Sequence, residues 1–516
     1  MGIEVESPGR ILASNARGKL VNVLVTGCSG YVGSQLVPAL LERGHYVVCM
    51  TRDPRKVTSK FPRRVNVVQA DALDAASLAP VLRGIDVAYY LIHSLGAGEQ
   101  EFRAVDHEAA RNFAMAAKAA GVKRIIYLGG LGNPSQELSA HLQSRQETSE
   151  CLRQYGPPLT DFRSAVVIGA GSISFEMIRY LTERVPIMIC PRWVTTRIQP
   201  IGIDDVVRYL VAALDEPRSE GQTIDIGSPS IETYRTMMLK YAAQRGLRRP
   251  LLQVPVLTPR LSSYWVDLVT PIPASISRPL IEGLRSEVVC SNNLAQQIFP
   301  QIKPLTYDEA LSRALRVPDL TAMVERRSAQ QSAGARKNPL LAQVVEDEGW
   351  VADIREGDVD ASPAQVFAVV EGIGGARGWF YGTFLWRLRA GLDRLLGGAG
   401  MGAGRRNPDT LDAGDPLDFW RVEEVTRPTG LRLKAMMKVP GEAFLIFETI
   451  SLGAGKTRLR SSALFRPRGL MGRIYWWLLL PVHKFIFSGM NAAIRKRAAT
   501  QTTGIASTPA ATGRPA

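Results

Sequence analysis

The chain has 516 residues, a formal net charge of +15 and five cysteines, none of them in a CxxC pair. That length suffices for two or three domains with separate apolar cores. The positive charge suits nucleic acid, an anionic membrane or a phosphorylated ligand, but the arginines are scattered and no zinc-finger spacing occurs. We therefore expect no nucleic-acid partner and no metal site. Unpaired cysteines, and a first segment (1–19) without an apolar run, predict a cytoplasmic location.

The first predicted elements are a strand, a glycine turn, a helix and a second strand. Apolar runs at Val21–Val25 and His45–Met50 predict the two strands. Between them, Gly27, Gly30 and Gly33 permit a tight turn, close approach of a pyrophosphate and close helix packing. The following helix N-terminus offers N–H groups to phosphates. This context predicts a dinucleotide site, and a glycine turn without a ligand is the alternative.

Arg52 follows the second strand, at the place where the cofactor ribose is recognised. An acid there binds the 2′-hydroxyl of NAD, whereas an arginine suits the 2′-phosphate of NADP. We therefore predict that NADP(H) is preferred over NAD(H). The alternative is that Arg52 is an ordinary surface arginine.

The alternation of strands and helices continues through the first half of the chain. Further strands are predicted within residues 65–78, 85–94 and 123–132. An alanine-rich helix is predicted at Glu101–Gly121. This pattern predicts an α/β fold, a doubly wound parallel sheet over residues 20–250 with its ligand at the carboxyl ends of the strands. Residues 251–320 are predicted to complete a small cap.

These residues resemble an atypical, extended-type member of the short-chain dehydrogenase/reductase superfamily. TGCSGYVG (26–33) resembles the group's TGxxGxxG, and QADALDAASL (69–78) resembles its adenine-contact segment. The resemblance covers about residues 20–320 and implies a Rossmann domain, an NAD(P) cofactor and oxidoreductase activity. The predicted cofactor contacts are Thr26, Gly27, Ser29, Gly30, Tyr31, Val32, Gly33, Arg52, Asp71, Ala72, Leu91, Ile92 and Arg145.

The catalytic residues of that superfamily are replaced in this chain. Its members typically carry a serine at the end of the fifth strand and Tyr-x-x-x-Lys on the next helix, where this chain has Gly129–Gly130 and HLQSR (141–145). His141 and Arg145 share one helix face. We predict that His141 donates a proton, while Arg145 disfavours the charged form of His141 and holds a ribose or phosphate. The alternative is that both are surface residues.

His93 and a later loop supply further candidates. His93 ends the fourth predicted strand beside the expected nicotinamide, and its alternative role is that of a hydrogen-bonded core histidine. Residues after the sixth strand combine an aromatic ring with guanidinium groups, which suits a flat or anionic substrate. The predicted substrate contacts are Arg192, Trp193, Arg197 and Gln199. A structural loop fixed by prolines is the alternative.

The second half is organised differently, after a polar linker at residues 321–345. Residues 346–497 predict a strand, a helix capped near Ser362, several antiparallel strands and a long final helix, an α+β pattern. DASPAQVFAVV (360–370) and this order resemble the helix-grip fold of START and polyketide-cyclase-like proteins, which implies an apolar cavity. The whole chain resembles a bacterial fusion of an atypical reductase with a domain of unassigned function. The many aromatic residues suit either a cavity or a core.

The final predicted helix, about 471–497, contains RIYWWLLLPVHKFIF (473–487). This run is too short and too interrupted to span a bilayer. Residues 470–497 can rest peripherally on an anionic membrane, or the run can be the buried helix that the sheet grips. Residues 498–516 are predicted to be disordered.

Together these features predict an NADPH-dependent oxidoreductase for a hydrophobic carbonyl or ene compound, held with help of the C-terminal domain. Two alternatives stay open. One is a catalytically inactive NADP(H)-binding sensor or accessory protein, of the kind found in respiratory complex I. The other is a protein that binds a lipid or another small hydrophobic molecule and has a regulatory nucleotide domain. The sequence predicts no oligomeric state.

Overall fold

The computed structural model describes residues 20–505, apart from residues 55–56, 58–60, 62–64, 94–98, 133–138, 255–281, 284–285, 317–322, 324–343, 348, 396–404 and 408. The chain packs as two compact units. The first unit is formed by Met1–Ile168, Thr196–Thr233 and Pro273–Ala310. The second unit is formed by Gly169–Thr195, Tyr234–Ile272 and Leu311–Ala516. Parts of the predicted 20–250 domain thus group with the C-terminal part of the chain.

The described elements are numbered in chain order. The strands are β1 (Asn22–Thr26), β2 (Tyr46–Thr51), β3 (Asn66–Gln69), β4 (Val87–Tyr90), β5 (Arg124–Gly130), β6 (Leu159–Ser164), β7 (Val167–Ile168), β8 (Met188–Pro191), β9 (Arg197–Ile198), β10 (Ile201–Gly202), β11 (Thr223–Ile226), β12 (Glu232–Thr233), β13 (Leu251–Val254), β14 (Val344–Asp347), β15 (Trp350–Val359), β16 (Pro416–Leu417), β17 (Trp420–Thr426), β18 (Gly430–Ala435), β19 (Gly441–Gly453) and β20 (Lys456–Pro467). The helices are α1 (Tyr31–Glu42), α2 (Ala75–Leu82), α3 (Glu99–Ala119), α4 (Ala140–Tyr155), α5 (Ile173–Arg184), α6 (Ile203–Ala212), α7 (Tyr234–Gln244), α8 (Leu294–Ile298), α9 (Tyr307–Ala314), α10 (Pro363–Glu371), α11 (Thr383–Leu395) and α12 (Gly469–Ile505).

The first unit is built on a seven-stranded sheet in the order β11-β6-β5-β4-β1-β2-β3. Every neighbouring pair is parallel, which confirms the predicted α/β doubly wound sheet. The order reverses between β1 and β4, and such a switch point is where α/β sheets bind ligands. Thr26 joins the ends of β1 and β4 at this switch point: its hydroxyl donates to the Tyr89 carbonyl and accepts from the Leu91 N–H, each at 3.0 Å.

The second unit contains an antiparallel sheet in the order β14-β15-β20-β19-β18-β17-β16. Helix α10 begins where predicted: Ser362 caps it, Gln365 completes a capping box, and Pro363 occupies its first turn. Helix α12 packs on β15 and β20. The sheet, the short helix and the long final helix therefore form a separate α+β domain, as predicted.

Four aromatic side chains form the centre of this domain's core. Trp379, Trp386, Phe419 and Trp420 are at most 7% exposed. Trp379 stacks on Phe419 with ring centres 5.6 Å apart, and its indole N–H donates to Asp418 at 2.9 Å. For these four residues the structure shows an aromatic core, since their rings pack on one another.

Helix α12 extends beyond the predicted boundary at residue 497. It continues to Ile505, and Ala498 is completely buried in the core, which explains why the chain stays helical there. The predicted disorder of residues 498–505 is therefore wrong, and residues 506–516 lie outside the described part. Among the described helices, none combines the length and apolar character needed to cross a membrane.

We expect Gly33→Ala to destabilise the chain by about 1–3 kcal/mol, because the new Cβ would lie 2.4 Å from the Gly27 carbonyl oxygen, which is fixed backbone. Gly391→Ala in α11 is the matched control, since a Cβ there meets nothing within 4 Å. The free energy of unfolding of the control should rise by about 0.5–1 kcal/mol, because alanine lowers the backbone entropy of the unfolded chain. Thermal unfolding of both variants measures the difference, and equal midpoints would contradict the close packing.

Candidate functional site

The glycine turn packs tightly between β1 and the segment after β4. Gly27 has a φ of +63°, and a Cβ on it would lie 2.5 Å from the Leu91 carbonyl oxygen. Gly33 is equally confined by backbone, and Gly30 is the N-cap of α1, without a side chain to cap it. Such a cradle of backbone at a helix N-terminus fits the pyrophosphate of a dinucleotide.

The other predicted cofactor contacts lie around this turn and along the neighbouring strand ends. Thr26 and Ala72 are buried, whereas the half-buried contacts are Ser29, Tyr31, Val32, Asp71, Leu91 and Ile92. Asp71 accepts from the Leu73 N–H at 3.1 Å and so organises the turn before α2. Arg52 is exposed directly after β2, and its carbonyl accepts from the Gln69 amide at 3.2 Å. Arg52 therefore lies at the carboxyl end of β2 with its side chain exposed.

Two histidines and a carboxylate form a hydrogen-bonded chain beside the turn. His93 Nε2 lies 3.1 Å from His141 Nδ1, and His93 Nδ1 lies 2.9 Å from Asp106 Oδ2. The Ser144 hydroxyl also donates to Asp106 Oδ2, at 3.3 Å. The side chains of His93 and Asp106 are only 14% and 5% exposed. The structure thus brings both predicted histidines into one buried network.

Three elements at the carboxyl side of the sheet position this network. His93 lies three residues past the end of β4, Asp106 lies on α3, and His141 is the second residue of α4. Helices α3 and α4 are also joined by an ion pair between Arg103 and Glu147. The histidine pair therefore lies at the carboxyl ends of β4 and β5, next to the switch point.

The carboxylate determines which ring nitrogens carry hydrogen. An ionised carboxylate only accepts hydrogen bonds, so Asp106 requires the hydrogen of neutral His93 on Nδ1. His93 Nε2 is then an acceptor, and His141 must donate to it from Nδ1. His141 Nε2 is left with a lone pair. The neutral network therefore presents a proton acceptor at its end.

Burial keeps both histidines neutral at neutral pH. Burial lowers the pKa of His141 to about 3, and the neighbouring His93 and Arg145 act in the same direction. Burial also lowers the pKa of His93, although the hydrogen bond to Asp106 acts in the opposite direction. The effect of Arg145 on His141 has the predicted direction.

Arg145 is held against β5, beside the two glycines at the end of that strand. Its guanidinium donates to the Leu128 carbonyl and lies 5.0 Å from the centre of the Tyr127 ring. A Cβ on Gly130 would lie 3.0 Å from Leu142 Cδ2 and 3.6 Å from Arg145 Cγ. A side chain at position 130 would therefore require Leu142 to shift by a few tenths of an ångström, whereas it would make an ordinary contact with Arg145.

Two of the four predicted substrate contacts can be placed. Arg197 pairs with Glu287 at 2.9 Å, and both side chains are at least 40% exposed. Gln199 donates to one backbone carbonyl at 2.7 Å and accepts from one backbone N–H at 3.0 Å. These bonds give Gln199 a structural role in its loop. The side chains of Arg192 and Trp193 lie outside the described residues.

Asp106 was not predicted from the sequence, although the sequence contains a signal for it. Ala109, Ala110 and Phe113 follow it at helical spacing, and all three are at most 3% exposed. Asp106 is therefore a carboxylate on the apolar face of a helix, a position that calls for a polar partner.

Two family models match separate parts of the chain. Residues 27–156 match a family described as NAD(P)H-binding. Residues 350–490 match a family of proteins of unknown function, DUF2867. The first match contains the glycine turn, both histidines and Asp106. With the parallel sheet, it identifies this part of the chain as an NAD(P)-binding domain of the Rossmann type.

Several known proteins are similar to the first half. The 3-beta-hydroxysteroid dehydrogenase of Mycolicibacterium neoaurum is 36% identical over 120 residues, 22% of this chain and 32% of that protein. The chloroplastic divinyl chlorophyllide a 8-vinyl-reductase of Arabidopsis thaliana is 26% identical over 230 residues, 42% of this chain and 55% of that protein. The solved NADPH complex of an Escherichia coli NADPH-dependent quinone oxidoreductase has 19% identity and a TM-score of 0.47, covering 57% of this chain and 100% of that one. The chain spans 31–32% of the length of the first curated relatives.

We expect His141→Gln to make stability less sensitive to acid. The pKa of His141 is 6.5, its ordinary value, in the unfolded chain and about 3 in the folded chain. Between these two pH values only the unfolded chain binds the proton at this residue. Stability therefore falls as pH drops through this window, and removing His141 removes part of that slope. Urea unfolding at neutral pH and at about pH 5 measures the slope. The exposed His107→Gln is the control, and equal slopes in both variants would contradict a buried neutral His141.

Proposed function

We propose that the chain is an NADPH-dependent oxidoreductase that acts on a hydrophobic carbonyl or ene compound. The observation that carries this proposal is the hydrogen-bonded chain from Asp106 through His93 to His141, next to a dinucleotide-type glycine turn. The similarity of the first half to a hydroxysteroid dehydrogenase and a vinyl reductase supports an apolar substrate. The likeness of TGCSGYVG to the short-chain dehydrogenase/reductase motif supports the reaction class.

The residues of the turn would hold the cofactor. Gly27, Gly30 and Gly33 would receive the pyrophosphate, and Arg52 would pair with the 2′-phosphate that distinguishes NADPH. When bound, the nicotinamide cofactor supplies the hydride. The packing of Gly27 against Leu91 links the turn to the segment that carries His93. Hydride and proton would thus reach the substrate from neighbouring parts of one sheet edge.

The histidine pair would deliver the proton as a relay. With one added proton, His93 carries N–H on both nitrogens and donates to Asp106 and His141, while His141 carries its hydrogen on Nε2. When that Nε2 proton passes to the substrate, the proton on His93 Nε2 moves to His141 Nδ1. The pair then returns to its neutral state with no net charge left behind. The Asp106 carboxylate stabilises the imidazolium of His93 in the loaded state.

The C-terminal domain would hold the apolar substrate. Its antiparallel sheet, short helix and long packed helix have the element order of helix-grip proteins of the START type, which supports this part of the proposal. The proposal for the first unit does not depend on it.

A second candidate function is an NADP(H)-binding sensor without turnover. Two observations favour it: burial lowers the pKa of His141 to about 3, so little proton is loaded at neutral pH, and Gly129–Gly130 replace the serine. This candidate predicts cofactor binding by the unaltered chain with no oxidation of NADPH on any carbonyl or enone of a broad panel.

For the oxidoreductase, we expect His141→Ala to lower NADPH-dependent reduction by about a hundredfold, because the proton donor is lost. NADPH affinity should stay nearly unchanged. Wild-type reduction should accelerate as pH falls, since acid loads the pair. Absorbance of NADPH with a panel of quinones, aldehydes and enones measures the rate, and the exposed His107→Ala is the control. Unaltered turnover in His141→Ala would show that His141 is not the donor.

Arg52→Ala should weaken NADPH binding by about tenfold and leave NADH binding unchanged, because only NADPH carries the 2′-phosphate. Calorimetric titration with both nucleotides measures the ratio. The control is Arg83→Ala, a surface arginine after α2. A preference for NADPH that survives in Arg52→Ala would assign the recognition to another residue.

A further inference from the structure

We propose that the exposed side of helix α12 docks peripherally on an anionic membrane surface. One side of this helix carries apolar side chains that remain 38–73% exposed in the folded chain. We call these residues the apolar stripe: Leu470, Met471, Ile474, Trp477, Leu478, Val482 and Phe485. This inference is independent of whether the chain turns over NADPH.

The stripe is distinct from the side of α12 that belongs to the core. Trp476, Leu480 and Phe487 alternate with it and are at most 4% exposed. Trp476 stacks on Phe465 of β20 with ring centres 5.7 Å apart. Helix α12 is thus apolar on two sides, of which the sheet covers one. A helix that is apolar all round calls for a second apolar surface to cover it.

The spacing of the stripe follows the helix period. Leu470, Ile474, Trp477 and Leu478 fall at intervals of three and four residues, so their side chains project from one side over two turns. Phe485 continues this side two turns later and contacts Tyr381, ring centre to ring centre, at 5.1 Å. The stripe therefore presents a continuous edge with an indole in its middle. Tryptophan prefers the membrane interface, where its ring is buried and its N–H stays hydrated.

The charges on α12 select an anionic surface. The 37 residues of the helix include no Asp or Glu. They do include Lys484, which is exposed within the stripe, and Arg495, Lys496 and Arg497 toward the other end. Cations flanking an exposed apolar side bind headgroup phosphates while the apolar residues enter the acyl boundary.

Further arginines gather where α12 begins. The guanidinium groups of Arg179, Arg184 and Arg473 lie 4.1, 4.5 and 6.0 Å from the centre of the Tyr180 ring. Glu176 forms an ion pair with Arg179, whereas Arg473 has no acidic partner among the described residues. Arg473 therefore adds a positive charge near the start of α12, where the Gly469 N–H donates to the Glu183 carboxylate at 2.9 Å and Arg245 pairs with that carboxylate.

The charge pattern also argues against a second copy of the chain as the occupant. Two stripes packed face to face would bring Lys484 and the arginine-rich ends of α12 together, with no acid on either helix to pair with them. An anionic bilayer supplies the missing negative charge. The helix would lie in the membrane plane, since no described helix has the length and apolar character to cross.

Flotation of the full chain with vesicles tests this inference. The vesicles contain equal parts of phosphatidylglycerol and phosphatidylcholine, or phosphatidylcholine alone. We expect binding to the anionic vesicles, lowered at least roughly tenfold by Leu478→Glu, because a buried leucine is lost and a repelled charge is added. Leu452→Glu is the matched control, an exposed leucine at the end of β19 that is 45% exposed against 73% for Leu478. Lys484→Glu, which alters no packed side chain, should also weaken binding.

Each other outcome would overturn the inference. Absence of binding to the anionic vesicles would do so, and so would equal binding to both vesicle types, since the claim is for an anionic surface. Light scattering tests the alternative that a second copy of the chain covers the stripe. A dimer that Leu478→Glu converts into a monomer, in a chain that binds no vesicles, would show that the stripe pairs with a second copy.

Discussion

The hydrogen bond between His93 and His141, backed by Asp106, is the interaction on which the functional account depends. Without the carboxylate, either tautomer of His93 would be allowed, and the donor and acceptor of the hydrogen bond between the two histidines would not be fixed. With it, each ring has one defined role, and a lone pair is presented at His141 Nε2. The site is thus a small polar network inside an apolar surrounding, which is why its members must satisfy one another.

This network exists because the parallel sheet brings distant segments to one edge. The chain leaves β4 toward His93 and leaves β5 toward α4, while α3 packs beside α4 and supplies Asp106. The glycine turn lies at the same edge, next to the point where the strand order reverses. In the proposed function, the glycine turn would receive the phosphates, the histidine pair would deliver the proton, and a bound nicotinamide would supply the hydride. The replaced serine and tyrosine thus do not exclude chemistry; they change which residues would perform it.

The fold of the first half could be predicted because its signals are local. Gly33 is required by backbone contacts with Gly27 and Cys28 within the same strand–turn–helix unit, and apolar runs mark the strands. The pairing of His141 with His93 could not be predicted in the same way. The two residues are 48 positions apart, and their contact depends on how α4 packs. Asp106 was missed for the same reason, because helical periodicity shows which face a residue occupies and not what that face meets.

In the second half, the sequence predicted the local elements but not the features that depend on how the domain packs. The antiparallel strands, the capped helix α10 and the long final helix were predicted, since alternation and the Ser362 cap are local patterns, whereas helix α11 (Thr383–Leu395) was not. The end of α12 was not predicted, because the burial of Ala498 in the core, which adds to the helix propensity of alanine, is not visible in the sequence. Exposure of one side of α12 is likewise a property of the packed domain. A sequence of apolar residues cannot say which of them the sheet covers.

Nitrogen-15 spectra of the histidine rings at neutral pH test the central claim most directly. The chain has only five histidines, so the signals can be assigned by single substitutions. The account predicts that His93 and His141 are both neutral and both carry hydrogen on Nδ1, as the Asp106 carboxylate requires. A neutral His141 with its hydrogen on Nε2, or a charged pair at neutral pH, would contradict it.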